Sequence, residues 1–286
     1  MTIKKLSAVL AIAAVLLPVA AQGSPSRLYS LDHVSDQLFT IDTATGATTA
    51  VGPLGVDVLP GGDMAYLNGR LYHVMPDASD AANSTHTLFE ISPTTGAVLS
   101  SQAITVGGSP YIGGVEGLTA VDGKLIVAYA GVPNQPESPL LGELSLTGDI
   151  FNPADFSAFN ADMDGLATDS AGQIFANDSV PSSDEVFLYR VDRAPLDYSL
   201  VGGFSRPAGW YPRVTDITFA GGRLYGVETY HDVMYEIDPT TGGLLAEIAI
   251  DPALRLNGLA APEPTSLALL LTVSVWGLRK RREHRG

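Results

Sequence analysis

The hydrophobic and polar positions of this chain alternate in short segments that recur about every 42–54 residues. One segment places an aliphatic residue before an aromatic or second aliphatic one, and it follows a turn such as Asn68-Gly69. Its five copies are Arg27-Leu28-Tyr29, Arg70-Leu71-Tyr72, Lys124-Leu125-Ile126, Gln173-Ile174-Phe175 and Arg223-Leu224-Tyr225. Because Asn and Gly tolerate the positive φ of tight turns, the pattern predicts β-hairpins.

Two further segments recur in a fixed order around this hairpin strand. The segment that follows it ends in Asp or Ser before a turn containing Gly, except in one copy, as in Leu38-Phe39-Thr40-Ile41-Asp42 and in the copies that begin at Leu88, Leu141, Leu188 and Met234. The segment that precedes it combines one aliphatic residue with small ones, which is typical of an innermost strand where space narrows. Its copies are Asp63-Met64-Ala65, Gly117-Leu118-Thr119, Gly165-Leu166-Ala167, Asp216-Ile217-Thr218 and Gly258-Leu259-Ala260.

With a looser fourth strand after each turn, the repeat predicts an all-β fold, a single β-propeller of five four-stranded blades over residues 22–261. The chain begins with the second strand of a blade, at Leu28, and ends with a first strand, Asn257 to Ala260. Pairing of these strands would close the ring and remove both exposed edges. The alternative is six blades, with a degenerate unit in the stretch 133–159. The stretch 76–87 is predicted as a long loop.

Both ends of the chain carry an apolar run beside basic residues. At the N-terminus, Lys4 and Lys5 precede an apolar stretch that reaches Val19, and small residues follow it. This order predicts a signal peptide over residues 1–21, cleaved between Ala21 and Gln22.

The C-terminal segment, residues 262–286, begins with Pro262, Glu263 and Pro264. An apolar run of about a dozen residues follows, which is shorter than the ~20 residues that cross a bilayer. A basic cluster closes the segment: Arg279, Lys280, Arg281 and Arg282. This order of parts resembles the PEP-CTERM sorting signal of Gram-negative bacteria. The resemblance implies transient membrane insertion, processing near Pro-Glu-Pro by an exosortase, and a final place in the cell envelope or extracellular matrix. An ordinary C-terminal membrane anchor is the alternative.

The charge of the chain is unevenly distributed. Residues 22–264 hold 30 acidic and nine basic residues, a net charge of −21, and the chain has no cysteine. Such a surface repels nucleic acid and anionic membranes and favours cations, calcium among them in an extracellular setting. The absence of cysteine excludes disulfides and thiol catalysis.

Acidic or amide residues occur in every repeat near the start of the innermost strand. They are Asp63, Glu116, Asp164, Asp216 and Asn257, and further acids end the next strand at Asp32, Asp178 and Glu228. In a propeller these two strand ends open on the same face around the central channel. We therefore expect an acidic funnel there, with Ca²⁺ as the candidate ligand. The other interpretation is that these side chains cap turns.

Two enzyme classes would use the same residues. A glycosidase needs a pair of carboxylates, such as Asp164 with Glu116 or Asp216. A lactonase-like hydrolase would use a channel calcium as Lewis acid, with His33, His73 or His231 as base.

Aromatic residues near the inner strands offer a binding function instead, because exposed rings stack on sugars. They are Tyr111, Phe204, Trp210, Tyr211 and Tyr230, and the other interpretation is that they fill space between blades. We expect an exported, non-catalytic propeller that binds or scaffolds polysaccharide or envelope proteins. The alternative is a calcium-dependent hydrolase that uses the channel acids.

Overall fold

The computed structural model of the protein describes residues 27–76, 85–132, 135–156, 163–180, 185–205, 214–228 and 233–262. Within these ranges the chain is all-β and forms five antiparallel sheets arranged as the blades of a propeller. No helix in the described ranges has the length and hydropathy to cross a membrane. The predicted signal peptide, and the sorting segment after Pro262, lie outside them.

Each blade runs from an inner strand outward. Blade I contains β22 (Leu256–Ala260), β1 (Arg27–Asp32), β2 (Gln37–Asp42) and β3 (Thr48–Pro53). Blade II contains β4 (Asp63–Leu67), β5 (Arg70–Pro76), β6 (His86–Ile91) and β7 (Val98–Ala103). Blade III contains β10 (Val115–Val121), β11 (Lys124–Val132), β12 (Gln135–Leu144) and β13 (Asp149–Asp155), with β8 (Thr105–Val106) and β9 (Ser109–Pro110) at its outer edge.

The remaining two blades have four strands each. Blade IV contains β14 (Gly165–Thr168), β15 (Ile174–Val180), β16 (Glu185–Arg193) and β17 (Leu196–Ser205). Blade V contains β18 (Val214–Ala220), β19 (Arg223–Glu228), β20 (Val233–Ile237) and β21 (Leu244–Ala249). The inner strands β22, β4, β10, β14 and β18 contact one another in that order around the axis. The five-blade prediction is confirmed.

The stretch that would hold a sixth blade instead belongs to blade III. Within residues 133–159 the described part forms β12 and β13, which pair with each other and with β11. The predicted loop after Pro76 is shorter than the sequence suggested, because β6 already begins at His86.

Closure of the ring occurs as predicted, in blade I. Strand β22 pairs antiparallel with β1, with Tyr29 opposite Ala260 and Leu31 opposite Asn257. The Ser30 hydroxyl donates to the Gly258 carbonyl at 2.7 Å. The first and last strands of the domain therefore form one sheet, in which β22 is the inner strand and β1 is paired on both sides.

The core is divided among the five interfaces between neighbouring blades. Each interface holds one buried apolar cluster, to which both blades contribute. Representative pairs are Leu31 and Leu71, Val74 and Leu118, Ala128 and Leu166, Phe175 and Ile217, and Val227 and Leu259. Since each inner sheet face packs on a neighbour, burial of apolar surface stabilises the ring as a whole.

Candidate functional site

The inner strands carry one equivalent position near their start, which forms a layer around the propeller axis. We call Asp63, Gly117, Gly165, Asp216 and Gly258 the axial layer. Each of them directly precedes the buried aliphatic residue of its strand. Two carboxyl groups and three glycines therefore face one another across the channel.

At each of the three glycines a side chain would come too close to the neighbouring inner strand. A Cβ added at Gly165 would lie 2.7 Å from the Asp216 Cα and 2.8 Å from the Asn177 Oδ1. A Cβ at Gly117 would lie 2.7 Å from the Leu166 Cγ. These distances are too short for carbon, so the axial layer has room for side chains on only some of its members.

Asp63 ties three inner strands together. Its Oδ2 accepts hydrogen bonds from the Leu118 N–H of blade III at 2.6 Å and from the Leu166 N–H of blade IV at 3.3 Å. Its Oδ1 accepts from the Met64 N–H. Such bonds favour the ionised carboxylate, yet burial outweighs them and raises the pKa of Asp63 to about 7.

Asp216 repeats this arrangement toward the next blade. Its Oδ2 accepts from the Leu259 N–H of blade I. Burial, and then the charge of Asp63, raise the pKa of the Asp216 carboxyl well above its usual range. The buried Oδ1 has no donor among the described residues. The hydrogen bond between the two carboxyls lowers the pKa of Asp63 and raises that of Asp216, so Asp216 is the donor and the two carboxyls titrate as a pair.

The other predicted inner-strand residues lie one position earlier and point elsewhere. Asp164 accepts from the Ser179 N–H at 2.7 Å, within its own blade. Asn257 donates to the Leu59 and Gly61 carbonyls. Glu116 is half-buried, beside the chain at Gly114. Successive side chains of a strand point to opposite faces, so these residues do not join Asp63 and Asp216 at the axis.

The acids at the ends of the second strands are also separate. Asp32 caps the turn after β1 by accepting from the Ser35 N–H at 2.9 Å, and it accepts from the Arg255 N–H at 2.7 Å. Glu228 accepts from the Tyr235 hydroxyl at 3.0 Å. The charge of Asp178 contributes to the raised pKa of Tyr189, after burial. Their role in ligand binding stays a prediction.

The described residues fit a calcium site poorly. Calcium takes six to eight oxygen ligands. Three of the four axial carboxyl oxygens already accept backbone N–H bonds. No group of three or more His, Asp and Glu in the described ranges could hold a metal ion. Among the described residues Asp63 and Asp216 form a buried pair, and calcium binding by the other predicted acids stays a prediction.

Of the histidines considered as bases, His73 contacts the backbone of the pair. Its Nδ1–H donates to the Asp63 carbonyl at 2.8 Å, and burial lowers its pKa to about 4. The ring is therefore neutral at physiological pH and holds the Asp63 backbone. His33 lies in the turn after β1, and its backbone N–H donates to the Arg255 carbonyl. His231 is outside the described residues.

Two of the five aromatic residues proposed to stack on sugars lie in the described ranges, and both pack within the fold. Tyr111 is buried and donates to the Gly114 and Ala130 carbonyls, at 3.0 and 2.6 Å. Phe204 packs on Tyr235, with ring centroids 5.5 Å apart. Both therefore fill space within the fold, as the second interpretation predicted. Trp210, Tyr211 and Tyr230 lie outside the described residues.

The opposite end of the channel is open and forms a cavity that the sequence analysis did not predict. This central cavity has a volume of 1080 Å³. Met64, Leu118 and Leu166 line its bottom, directly after the axial layer, and Thr119, Thr168 and Thr218 form the wall above. Aromatic residues and three arginines lie farther out toward the rim: Tyr66, Phe219, Tyr225, Arg27, Arg190 and Arg223. Thr119 and Thr218 directly follow the inner aliphatic residue of their repeats, whereas Thr168 lies two positions after Leu166, so the repeat alignment marks these wall positions only in part.

Pro262 is the one member of the predicted sorting signal in the described ranges, and it lies on the cavity wall. The chain therefore leaves the propeller at the rim of the central cavity. Glu263, Pro264 and the basic cluster from Arg279 to Arg282 lie outside the described residues, as do Ala21 and Gln22.

No protein-family profile matches the chain, and no curated protein matches it. Solved structures resemble it at low identity. A structure of the nidogen/laminin complex has a TM-score of 0.50 at 12% identity and covers 83% of this chain and 98% of that one. The exo-β-1,3-galactanase of Phanerochaete chrysosporium has a TM-score of 0.50 at 11% identity, over 68% and 51%. The glutaminyl cyclase of Myxococcus xanthus has a TM-score of 0.47 at 16% identity, over 85% and 90%. Likeness at such identities establishes the propeller fold alone.

Proposed function

We propose that the protein is an exported, non-catalytic propeller of the cell envelope or exopolysaccharide matrix, and that it binds polysaccharide in the central cavity. The observation that carries this proposal is the cavity itself, which opens on the propeller axis and combines threonine hydroxyls with half-buried aromatic rings. Binding sites for small ligands are concave and mostly apolar, with a few polar groups that orient the ligand.

The placement of the acids favours binding over catalysis. A general acid or base must reach the reacting group of its substrate. Asp63 and Asp216 are buried, and the apolar residues at the cavity bottom separate them from its interior. Their oxygens hold backbone N–H groups of neighbouring blades, which is a structural task.

The chain ends support the proposal of export and C-terminal processing. Strand β22 ends at Ala260, and Pro262 follows after one residue. The Pro-Glu-Pro sequence thus begins where the blade ends, so a processing exosortase would meet it without unfolding the propeller. After export, the binding partners of the protein would be polysaccharide or envelope proteins.

Obstruction of the cavity rim tests the binding function. Ala44 and Ser170 are exposed residues on the wall, in blades I and IV. We expect Ala44→Trp with Ser170→Trp to lower the affinity of the full-length chain for the host's purified exopolysaccharide at least tenfold. Leu200→Trp, exposed on the outer strand of blade IV, is the matched control and keeps wild-type affinity.

Retention of the chain on immobilised exopolysaccharide measures this affinity, and sugar release into solution is followed in parallel. Equal retention of the rim variant and the wild type would contradict binding in the cavity. Release of shortened sugars by the wild type, with loss of release in Asp63→Asn, would contradict the non-catalytic assignment.

A further inference from the structure

We infer that the polysaccharide bound in the central cavity is anionic, with sugar carboxylates held by Arg27 and Arg190. This inference rests on the proposed function and adds the chemical class of the ligand. The inference rests on a base–glutamate pair that three blades share and that blades I and IV lack.

Three blades neutralise the base at the start of their second strand with a glutamate on the third strand. Arg70 Nε lies 3.2 Å from Glu90 Oε1, and Lys124 Nζ lies 2.8 Å from Glu143 Oε2. In blade V, Arg223 Nη1 lies 3.1 Å from both oxygens of Glu236. The repeat therefore places one base and one acid at this position, and the pair has no free charge.

Blades I and IV depart from this rule, each in a different way. In blade I, Arg27 keeps the base, but Thr40 stands where the other blades have glutamate. In blade IV, Gln173 replaces the base and Arg190 replaces the glutamate. Neither Arg27 nor Arg190 forms a salt bridge with an acid in the described part of the chain.

Both arginines lie at the central cavity, on one side of it. Arg27 lies opposite Asp42 in the pairing of β1 with β2, and after the Thr45 hydroxyl its charge contributes to the lowered pKa of Asp42, but the two side chains form no salt bridge. Blades IV, V and I are neighbours, so Arg190, Arg223 and Arg27 form a continuous arginine arc along the wall. The lining contains these three bases and one acid, Asp169. Glu236 neutralises Arg223, so the charges left at the lining are those of Arg27, Arg190 and Asp169. The lining is therefore weakly positive, whereas the chain as a whole has 31 acids and 16 Lys and Arg residues.

The chemistry of the arc selects carboxylate. A guanidinium presents planar, paired N–H donors that match the two oxygens of a carboxylate. Arg190 also lies over the Phe175 ring, with its Cζ 6.0 Å from the ring centroid, which restricts its motion. Tyr66 of blade II and Thr119 of blade III line the part of the cavity away from the arc, and such groups suit the apolar face and hydroxyls of a sugar ring.

The negative net charge of the domain makes binding of an anionic ligand depend on ionic strength. A strongly negative protein repels an anionic polymer at long range, and salt screens that repulsion beyond about 8–10 Å. Contact with the arginines occurs at shorter range, where screening is weaker. Uronate binding should therefore persist at physiological ionic strength.

The test compares charge-matched variants of the full-length chain, purified in mild detergent because of its apolar C-terminal run. The probes are a galacturonate trisaccharide and the uncharged galactose trisaccharide of the same linkage, measured by calorimetry. We expect the double variant Arg27→Gln with Arg190→Gln to bind the galacturonate trisaccharide at least tenfold more weakly than the wild type. The control, Arg70→Gln with Lys124→Gln, removes the same charge outside the cavity and stays within twofold.

Each outcome has a distinct meaning. Equal affinity of the wild type for both trisaccharides, or galacturonate binding that is unchanged in the Arg27 and Arg190 variant, overturns the anionic class and leaves the cavity proposal standing. Binding of neither sugar, together with no retention on exopolysaccharide, overturns both. Equal binding of a glutamate hexapeptide overturns the carbohydrate class, because carboxylates alone would then suffice.

Discussion

At the scale of single residues, the central feature is that two acids and three glycines occupy equivalent positions. The sequence shows an acid or amide near the start of every inner strand, and this regularity predicted five convergent side chains. The structure separates them into two sets, because Asp63 and Asp216 lie one position later in the repeat than Glu116, Asp164 and Asn257. The repeat alignment already contains this offset, since Asp63 and Asp216 directly precede the inner aliphatic residue whereas Glu116, Asp164 and Asn257 lie two positions before it.

The buried pair makes stability depend on pH in a defined direction. The pKa of Asp63 rises from 3.8 to about 7 on folding, so its contribution is fully present below pH 3.8 and is lost as pH rises to about 7. His73 and His86 act in the opposite direction. Burial lowers their pKa from 6.5 to about 4, so their contribution is present above pH 6.5 and is lost as pH falls. Between pH 4 and 6.5 the two effects oppose each other.

Above pH 6.5 only the carboxyl pair still changes charge among these groups, so we expect the free energy of unfolding to fall between pH 6.5 and pH 8. The slope is at most about 1.4 kcal/mol per pH unit for each proton. The double variant Asp63→Asn with Asp216→Asn removes the slope, because neither amide ionises, whereas in either single variant burial alone keeps the pKa of the remaining carboxyl raised. Urea unfolding at both pH values measures it, with Asp42→Asn as an exposed control that keeps it. A wild-type free energy that is constant over this range would contradict the pair's raised pKa.

At the scale of elements, the hairpins were predictable and the irregular strands were not. The Asn68-Gly69 turn has positive φ at both residues, 52° and 80°, as the sequence pattern requires. Strands β8 and β9 have two residues each; β8 pairs with β13, and β9 pairs with β8 at the outer edge of blade III. No alternation can be recognised in two residues, so a pattern argument cannot find such strands.

Substitution of Asp32 and of Asp42 compares the stabilising effect of a buried turn-capping aspartate with that of an exposed one. Asp32 and Asp42 each accept three hydrogen bonds, from two backbone N–H groups and one hydroxyl. Asp32 is buried and joins β1 to the chain before β22, whereas the bonds of Asp42 stay within one exposed turn. We expect Asp32→Ala to lower the free energy of unfolding by about 2–3 kcal/mol and Asp42→Ala by about 1 kcal/mol or less. Urea denaturation checks the order, and a larger loss for Asp42→Ala would contradict it.

At the scale of the whole molecule, the fold follows from the repeat, but the cavity does not. Blade number and closure were readable because each repeat carries the same turn and strand signals, and because the first and last strands are complementary parts of one blade. The cavity depends on how far the inner strands diverge past the axial layer, which is a property of blade packing. Its arginines could have been noticed as breaks in the repeat, since Arg190 occupies a position where three other blades have glutamate.

Closure predicts which rearrangements of the chain the propeller tolerates. Because Tyr29 pairs with Ala260, Pro262 and Arg27 can be joined through Asn-Gly, which copies the turn between β4 and β5. New ends can be placed at the exposed Gly107-Gly108 turn, where opening the chain breaks no inner strand. We expect this circular permutant to unfold cooperatively, with a midpoint within a few degrees of residues 27–262. Residues 27–255, which lack β22, should show no cooperative transition, because β1 and the apolar surface of Leu259 lose their partners. Circular dichroism during heating distinguishes the two, and an unchanged midpoint for residues 27–255 would show that the ring does not depend on its closing strand.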